Sequence, residues 1–128
     1  MEGWTFAGVQ SERLGPEMPW DYVAKARELI AGARSVLDMG TGGGEKLARL
    51  CEGYGGFAVA TEAWSGNIRV ASERLAARGV PVVYADSLHL PFADSSLELV
   101  LNRHEKLDPA EVARVLARRG YVLTQQIG

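Results

Sequence analysis

The chain has 128 residues, enough for one domain with a buried core, and 14 basic against 16 acidic residues give a formal net charge of −2. The basic residues are dispersed, which argues against a nucleic-acid partner, and one cysteine with two distant histidines allows neither an internal disulfide nor a zinc site. We find no signal segment and no run of about eighteen apolar residues, so we expect a cytoplasmic protein without membrane contact.

The N-terminal segment is predicted to be a lead-in followed by a helix. Residues 1–18 show no sustained periodicity and contain the turn signal Gly15-Pro16, which predicts irregular structure. A helix is predicted from Pro19 to Gly32, because apolar residues recur at helical spacing between a favourable start and a glycine stop. The single domain 1–128 then divides into this lead-in and helix, 1–33, and a core, 34–128.

Apolar runs of strand length alternate with helical patterns through the rest of the chain. Predicted strands cover residues 35–39, 57–61, 80–84, 97–101 and 121–127, and predicted helices cover 45–52, 65–78 and 108–120. Strands that are apolar on both faces and alternate with helices predict a parallel sheet covered by helices on both sides. The early Pro81 predicts that the third strand lies at an edge of the sheet.

Polar residues mark the ends of these predicted strands. Asp38, Glu62, Asp86 and Asn102 each lie at or just beyond the carboxyl end of a strand. Ligands of such sheets bind at the carboxyl ends of the strands. We therefore expect the four side chains to share one rim.

A glycine-rich loop connects the first predicted strand to the next helix. Four glycines occur in the five positions 40–44; they permit positive φ and let a ligand approach backbone N–H groups, although a tight turn alone is the simpler alternative. A phosphate-binding loop is excluded because Glu45 precedes and Leu47 follows Lys46. The dinucleotide pattern fails because its third glycine position is Glu45, so a nicotinamide oxidoreductase is a distant alternative.

The pattern Asp38-x-Gly40-x-Gly42-x-Gly44 resembles the class I S-adenosylmethionine-dependent methyltransferases. Glu62 is similar to the acidic residue that holds both ribose hydroxyls in that family, and Asp86 with Ser87 is similar to the pair that recognises the adenine edge. The segment Leu90-Pro91-Phe92-Ala93-Asp94-Ser95-Ser96-Leu97-Glu98 is similar to the region before the fourth strand in the small-molecule branch. The resemblance implies S-adenosylmethionine as cofactor and a small-molecule acceptor, and the carboxylates suit a sulfonium cation.

The resemblance also implies a set of site residues. Asp38 would organise the loop and bind the methionine amino group, while Trp64 would either cover the adenine or pack on the rim. His104, just beyond the fourth strand, is a candidate general base, with a surface or capping histidine as the alternative; no metal ligand is expected. The cofactor-binding candidates are Asp38, Gly40, Thr41, Gly42, Gly44, Glu62, Ala63, Trp64, Asp86, Ser87 and Asn102.

The chain is shorter than the family pattern. A complete fold has seven strands, the last two forming an antiparallel hairpin whose seventh strand lies beside the fifth. Here we expect a Rossmann-like, doubly wound parallel α/β sheet in the order 3-2-1-4-5, lacking the sixth and seventh strands and leaving the fifth as an open edge. Because open edges pair with other chains, we expect either a piece of a longer enzyme or a homodimer through that edge. Two functions remain open: methyl transfer to a small molecule, or a truncated or non-catalytic S-adenosylmethionine-binding module.

Overall fold

The computed structural model describes residues 2–6, 9–14, 19–103 and 106–125, with side chains described for 22–102 and 106–124. In chain order the elements are β1 (Glu2–Phe6), β2 (Val9–Leu14), α1 (Pro19–Ala31), β3 (Ser35–Met39), α2 (Glu45–Leu50), β4 (Phe57–Glu62), α3 (Ser65–Ala76), β5 (Val82–Tyr84), β6 (Leu97–Arg103), α4 (Pro109–Val115) and β7 (Leu116–Gln125).

The strands form one sheet in the order β1-β2-β7-β6-β3-β4-β5. The five predicted core strands are β3, β4, β5, β6 and β7, and all neighbouring pairs among them are parallel. Their order in the sheet is the predicted 3-2-1-4-5, which is confirmed. The strand that directly follows the predicted edge signal Pro81 is β5, and it lies at one end of the sheet.

Both faces of the sheet are covered by helices, as the apolar runs predicted. Val36 and Leu37 are consecutive in β3, point to opposite faces and are both fully buried. Val36 belongs to a core cluster with residues of α1, α2 and α3, and Leu37 belongs to a second cluster with residues of α4. None of the helices in the described ranges is long and apolar enough to cross a membrane.

The N-terminal segment differs from its prediction. β1 and β2 form an antiparallel hairpin, and β2 pairs in parallel with β7, from Gln10 opposite Tyr121 to Leu14 opposite Gln125. The prediction of an irregular lead-in is therefore wrong over 2–6 and 9–14, and so is the prediction that the fifth core strand is an open edge. The unpaired backbone groups of β7 require partners, and the hairpin supplies them.

This pairing removes the basis for a homodimer through the edge of β7. The hairpin occupies the two sheet positions beside the fifth core strand, where the class I resemblance implied the sixth and seventh strands. Because β2 already pairs with that edge, a second chain cannot use the same backbone groups.

The last helix is shorter than predicted. Its start is as expected, since the Asp108 side chain caps it by accepting from the Ala110 N–H at 3.0 Å. Its end is not Gly120, because Leu116 is already extended and pairs with Leu97 of β6. The register then shifts, so residues 117–120 form an irregularity at the start of β7. Pairing with β6 here outweighs the helix propensity of the intervening residues.

Candidate cofactor site

The predicted rim exists at the carboxyl ends of the parallel strands. The register pairs Met39 of β3 with Asn102 of β6, and Glu62 of β4 with Tyr84 of β5. Because Asp38 of β3 pairs with Ala60 of β4, the four strands end within one residue of one another. Asp38 lies one residue before the end of β3, and Asp86 lies two residues beyond β5.

The glycine loop at residues 40–44 is hydrogen-bonded to the end of β4. The Thr41 N–H donates to the Thr61 carbonyl at 2.9 Å, and the Gly40 N–H lies 3.4 Å from the Thr61 hydroxyl. Within the loop, the Gly44 N–H donates to the Thr41 carbonyl at 3.2 Å. The Thr61 side chain was not among the predicted site residues. Its polar side chain within an otherwise apolar strand could have identified it from the sequence.

Gly42 and Gly44 need to be glycine for different reasons. Gly42 has φ +64 and would have nothing within 4 Å of an added Cβ, so only its backbone conformation requires glycine. Gly44 has φ +81, and an added Cβ would lie 3.1 Å from the Leu75 side chain and 3.3 Å from the Ala71 Cα. Gly44 therefore allows α3 to pack directly against the loop, while Gly42 lies on its open side.

Glu62 connects the loop to the rim through a buried carboxylate, which is only 7 % exposed. Oε1 accepts from the Gly42 N–H at 2.8 Å, and Oε2 accepts from the Trp64 N–H at 3.2 Å, with the Asn67 amide nitrogen 3.5 Å away. A carboxylate offers about four acceptor positions. Glu62 can thus hold the loop and still accept from a ligand hydroxyl.

A cleft of about 330 Å³ lies beside the loop, between α1 and α2. Its walls carry both signs of charge, with the carboxylates of Asp38 and Glu45 and the ammonium group of Lys46. The Thr41 hydroxyl is buried there and has no hydrogen-bond partner among the described residues. Because residues of both charge signs line the cleft, it suits a polar ligand that itself carries charges of both signs.

The side chains that follow β4 and β5 are more exposed. Asp86 is 62 % exposed, and its Oδ1 accepts from the Leu88 N–H at 2.8 Å, whereas Ser87 is buried. The Trp64 side chain is 65 % exposed and lies over the first turn of α3, where an added Cβ at Gly66 would meet its ring at 2.9 Å. Ala63, between Glu62 and Trp64, is also exposed.

Three other residues lie at or next to the carboxyl ends of β5 and β6. Tyr84, 70 % exposed at the end of β5 and level with Glu62, was not predicted because its position reads only as a strand residue. Asn102 is fully buried in the sheet, so its predicted contact with the cofactor stays a prediction. His104 lies outside the described residues.

An arginine network fixes the loop that leads from Ser87 to β6. Arg114 of α4 donates to the carbonyls of Leu90 and Phe92 and to the carboxylates of Asp94 and Glu111, each at 2.8 Å. The hydrogen bond from Arg114, followed by that from the Leu90 N–H, lowers the pKa of Glu111 to about 2. The same carboxylates raise the pKa of Arg114. This network was not predicted, because only Glu111 is close to Arg114 in sequence and the other three partners lie 20 to 24 residues away.

Comparison with known proteins agrees with this geometry. Residues 36–126 match a family described as a methyltransferase domain. Two relatives named demethylmenaquinone methyltransferase match as well. The protein of Corynebacterium urealyticum is 34 % identical over 87 residues, which cover 68 % of this chain and 36 % of the relative. The protein of Thermobifida fusca is 32 % identical over 107 residues, which cover 81 % and 45 %. The chain spans less than half the length of these curated relatives.

Solved structures give the same result. A SAM-dependent methyltransferase from Aquifex aeolicus is 27 % identical with a TM-score of 0.63, covering 76 % of this chain and 57 % of that one. The YcgJ protein from Bacillus subtilis is 28 % identical with a TM-score of 0.67, covering 81 % and 50 %. The [4+2]-cyclase SpnF, at 20 % identity and TM-score 0.61, shares the fold alone. The family match over residues 36–126 shows that this chain belongs to the methyltransferase-domain family, as the class I resemblance predicted.

Proposed function

We propose that this chain binds S-adenosylmethionine at the rim and transfers its methyl group to a small-molecule acceptor. The observation that carries the proposal is the Glu62 carboxylate, which is buried at the end of β4 and hydrogen-bonded to the Gly42 amide of the glycine loop. Family membership supports the same reaction. A buried carboxylate beside a glycine loop favours a ligand with hydroxyl groups and positive charge over a pyrophosphate.

The residues present fit the ribose and methionine parts of this cofactor. The remaining acceptor positions of Glu62 would take the ribose hydroxyls. Asp38 would pair with the methionine ammonium group in the adjoining cleft, where the Thr41 hydroxyl and the Gly40 and Gly42 backbone also lie. The buried Thr41 hydroxyl, which has no hydrogen-bond partner in the described part of the chain, supports an occupant that can bond to it.

The adenine would lie beyond β4 and β5. Asp86 and Ser87 would recognise its polar edge, and the exposed Ala63 and Trp64 would lie along its face. The exposure of the Trp64 side chain supports this placement, since a large apolar group gains from contact with a flat ring. Tyr84, equally exposed and level with Glu62, is an additional candidate for the same surface.

The donor chemistry indicates what the chain's residues must do, and the names of the relatives suggest which acceptor to test. The cofactor supplies a methyl group on a sulfonium centre, so the chain's own residues need mainly to align the acceptor and exclude water. The names of the curated relatives make demethylmenaquinone the first acceptor to test. His104, just beyond β6, is the candidate base for an acceptor that must lose a proton.

We propose a cytoplasmic location. The single cysteine supports it, because one cysteine cannot form an internal disulfide and so suits a reducing compartment.

Calorimetry with S-adenosylmethionine, S-adenosylhomocysteine and NAD in parallel tests the donor. We expect binding of the first two and none of NAD; the opposite result would refute the proposal. Turnover is then followed by methyl transfer to an acceptor panel that begins with demethylmenaquinone. The second candidate is a truncated or non-catalytic cofactor-binding module, which is supported by site contacts that concern the cofactor rather than an acceptor. Binding without turnover on any acceptor would support that alternative.

A further inference from the structure

We infer that Arg74, on α3, is a positioning residue that holds the second half of the glycine loop ready for the ligand. The inference rests on the proposed function, because the ligand is taken to be S-adenosylmethionine. Arg74 Nη1 donates to the Gly43 carbonyl at 2.8 Å and lies 3.6 Å from Glu45 Oε1. One guanidinium group thus contacts both the loop and the first residue of α2.

The contact with Gly43 fixes the orientation of a whole peptide group. The Gly43 carbonyl and the Gly44 N–H belong to one planar unit and point in opposite directions. While Arg74 holds the carbonyl, the Gly44 N–H donates to the Thr41 carbonyl at 3.2 Å. A rotation of this peptide would break both hydrogen bonds and open the turn that contains Thr41, a residue that lines the cleft.

Neighbouring residues of α3 restrain the loop in different ways. Leu75 is fully buried and would be 3.1 Å from a Cβ at Gly44, so it sets the distance between α3 and the loop. The Arg74 side chain is 40 % exposed and bonds to the Gly43 carbonyl, so it sets the orientation of the peptide. Replacing Arg74 leaves the apolar packing in place, which makes the polar restraint testable by itself.

The two halves of the loop have separate anchors. Glu62 restrains the first half through the Gly42 N–H, and Arg74 restrains the second half through the Gly43 carbonyl. Glycine peptides have large conformational freedom, which must be lost when the loop takes up a ligand. An anchor that orders the loop beforehand lowers this entropic cost and tightens binding.

The test compares Arg74→Met, which keeps an unbranched, flexible side chain but removes the donors and the charge, with Arg69→Met. Arg69 is the matched control because it lies on the same helix, is 87 % exposed and forms an ion pair with Glu73. Calorimetry with S-adenosylmethionine should show binding weakened about 3- to 10-fold by Arg74→Met and unchanged by Arg69→Met. In the ligand-free protein, the Gly44 amide should exchange its hydrogen faster only in Arg74→Met.

A conservative variant separates positioning from general stability. Arg74→Lys restores a charged donor, so its affinity should return to within about twofold of the unchanged protein. Equal affinity and exchange in Arg74→Met and the unchanged protein, or equal losses in Arg74→Met and Arg69→Met, would overturn the inference. If the unchanged protein does not bind S-adenosylmethionine, the proposed function fails, while the exchange comparison still decides the loop restraint. Should Arg74→Met fail to fold, Arg74→Gln and Arg74→Lys carry the same comparison.

Discussion

Replacing Glu62 should damage ligand binding and stability together. Glu62→Ala removes the proposed acceptor of the ribose hydroxyls and leaves the Gly42 and Trp64 amides without their carboxylate. Hydrogen bonds to a charged group contribute about 1.5–3 kcal/mol each, although water replaces part of that in an open cleft. We therefore expect affinity for S-adenosylmethionine to fall roughly 10- to 100-fold, and the free energy of unfolding to fall by about 1–3 kcal/mol.

The assay is calorimetry with S-adenosylmethionine, combined with urea denaturation of the ligand-free protein. Glu73→Ala is the control, because it removes the same charge from an exposed pair on α3 and should change the free energy of unfolding by less than about 0.5 kcal/mol. Unchanged affinity in Glu62→Ala would show that the ribose assignment is wrong. Weaker affinity without any loss of stability would show that Glu62 does not hold the loop.

Three more changes test the surroundings of the site. Gly44→Ala should cost about 2–4 kcal/mol of unfolding free energy, because positive φ adds to close packing against α3, whereas Gly53→Ala, with φ +78 and open space, should cost only about 1–2 kcal/mol. Because the folded pKa of Glu111, about 2, lies below its ordinary 4.5, its pairing with Arg114 stabilises the fold above about pH 4.5 and is lost as the pH falls towards 2. Cys51 is buried, and this burial, with a smaller effect of a nearby carboxylate, raises its pKa to about 11, so folded protein should react with iodoacetamide far more slowly than unfolded protein at neutral pH.

Each of these three predictions can be contradicted by one measurement. Equal unfolding free energies for the two glycine variants would show that packing against α3 does not matter. Urea denaturation between about pH 5 and 2 should show a smaller pH dependence for Glu111→Gln than for the unchanged protein, and identical curves would contradict the assigned pairing. Rapid modification of Cys51 in the folded protein would show that the thiol is accessible.

Local patterns predicted the core of the fold and the composition of the rim. Short, mainly apolar runs mark β3, β4 and β6, because a strand buried on both faces needs apolar residues along its length. The same runs identify Asp38 and Glu62 as candidate site residues, because these acidic residues lie where two of the runs end. Parallel pairing then brings the strand ends to one edge, so short-range information was enough to locate the candidate site.

The contacts that shape the site could not be predicted in this way. Arg74 and Gly43 are 31 residues apart, and nothing in the helical pattern of α3 distinguishes Arg74 from the exposed Arg69. The Glu62 carboxylate was predicted as a ligand for ribose, but its hydrogen bond to the Gly42 amide emerges only when β4 lies beside β3. Side-chain partners depend on packing that sequence spacing does not encode.

What the sequence determined by itself is the alternation of strands and helices and the glycine loop with its carboxylates, because each depends on neighbouring residues and the strand or helix period. Only the tertiary structure decided how the sheet is completed. Gln10 pairs with Tyr121 because the edge of β7 needs backbone partners, which the N-terminal hairpin provides from the opposite end of the chain. The same requirement ends α4 at Val115, where pairing with β6 replaces the helix that the local residues favour.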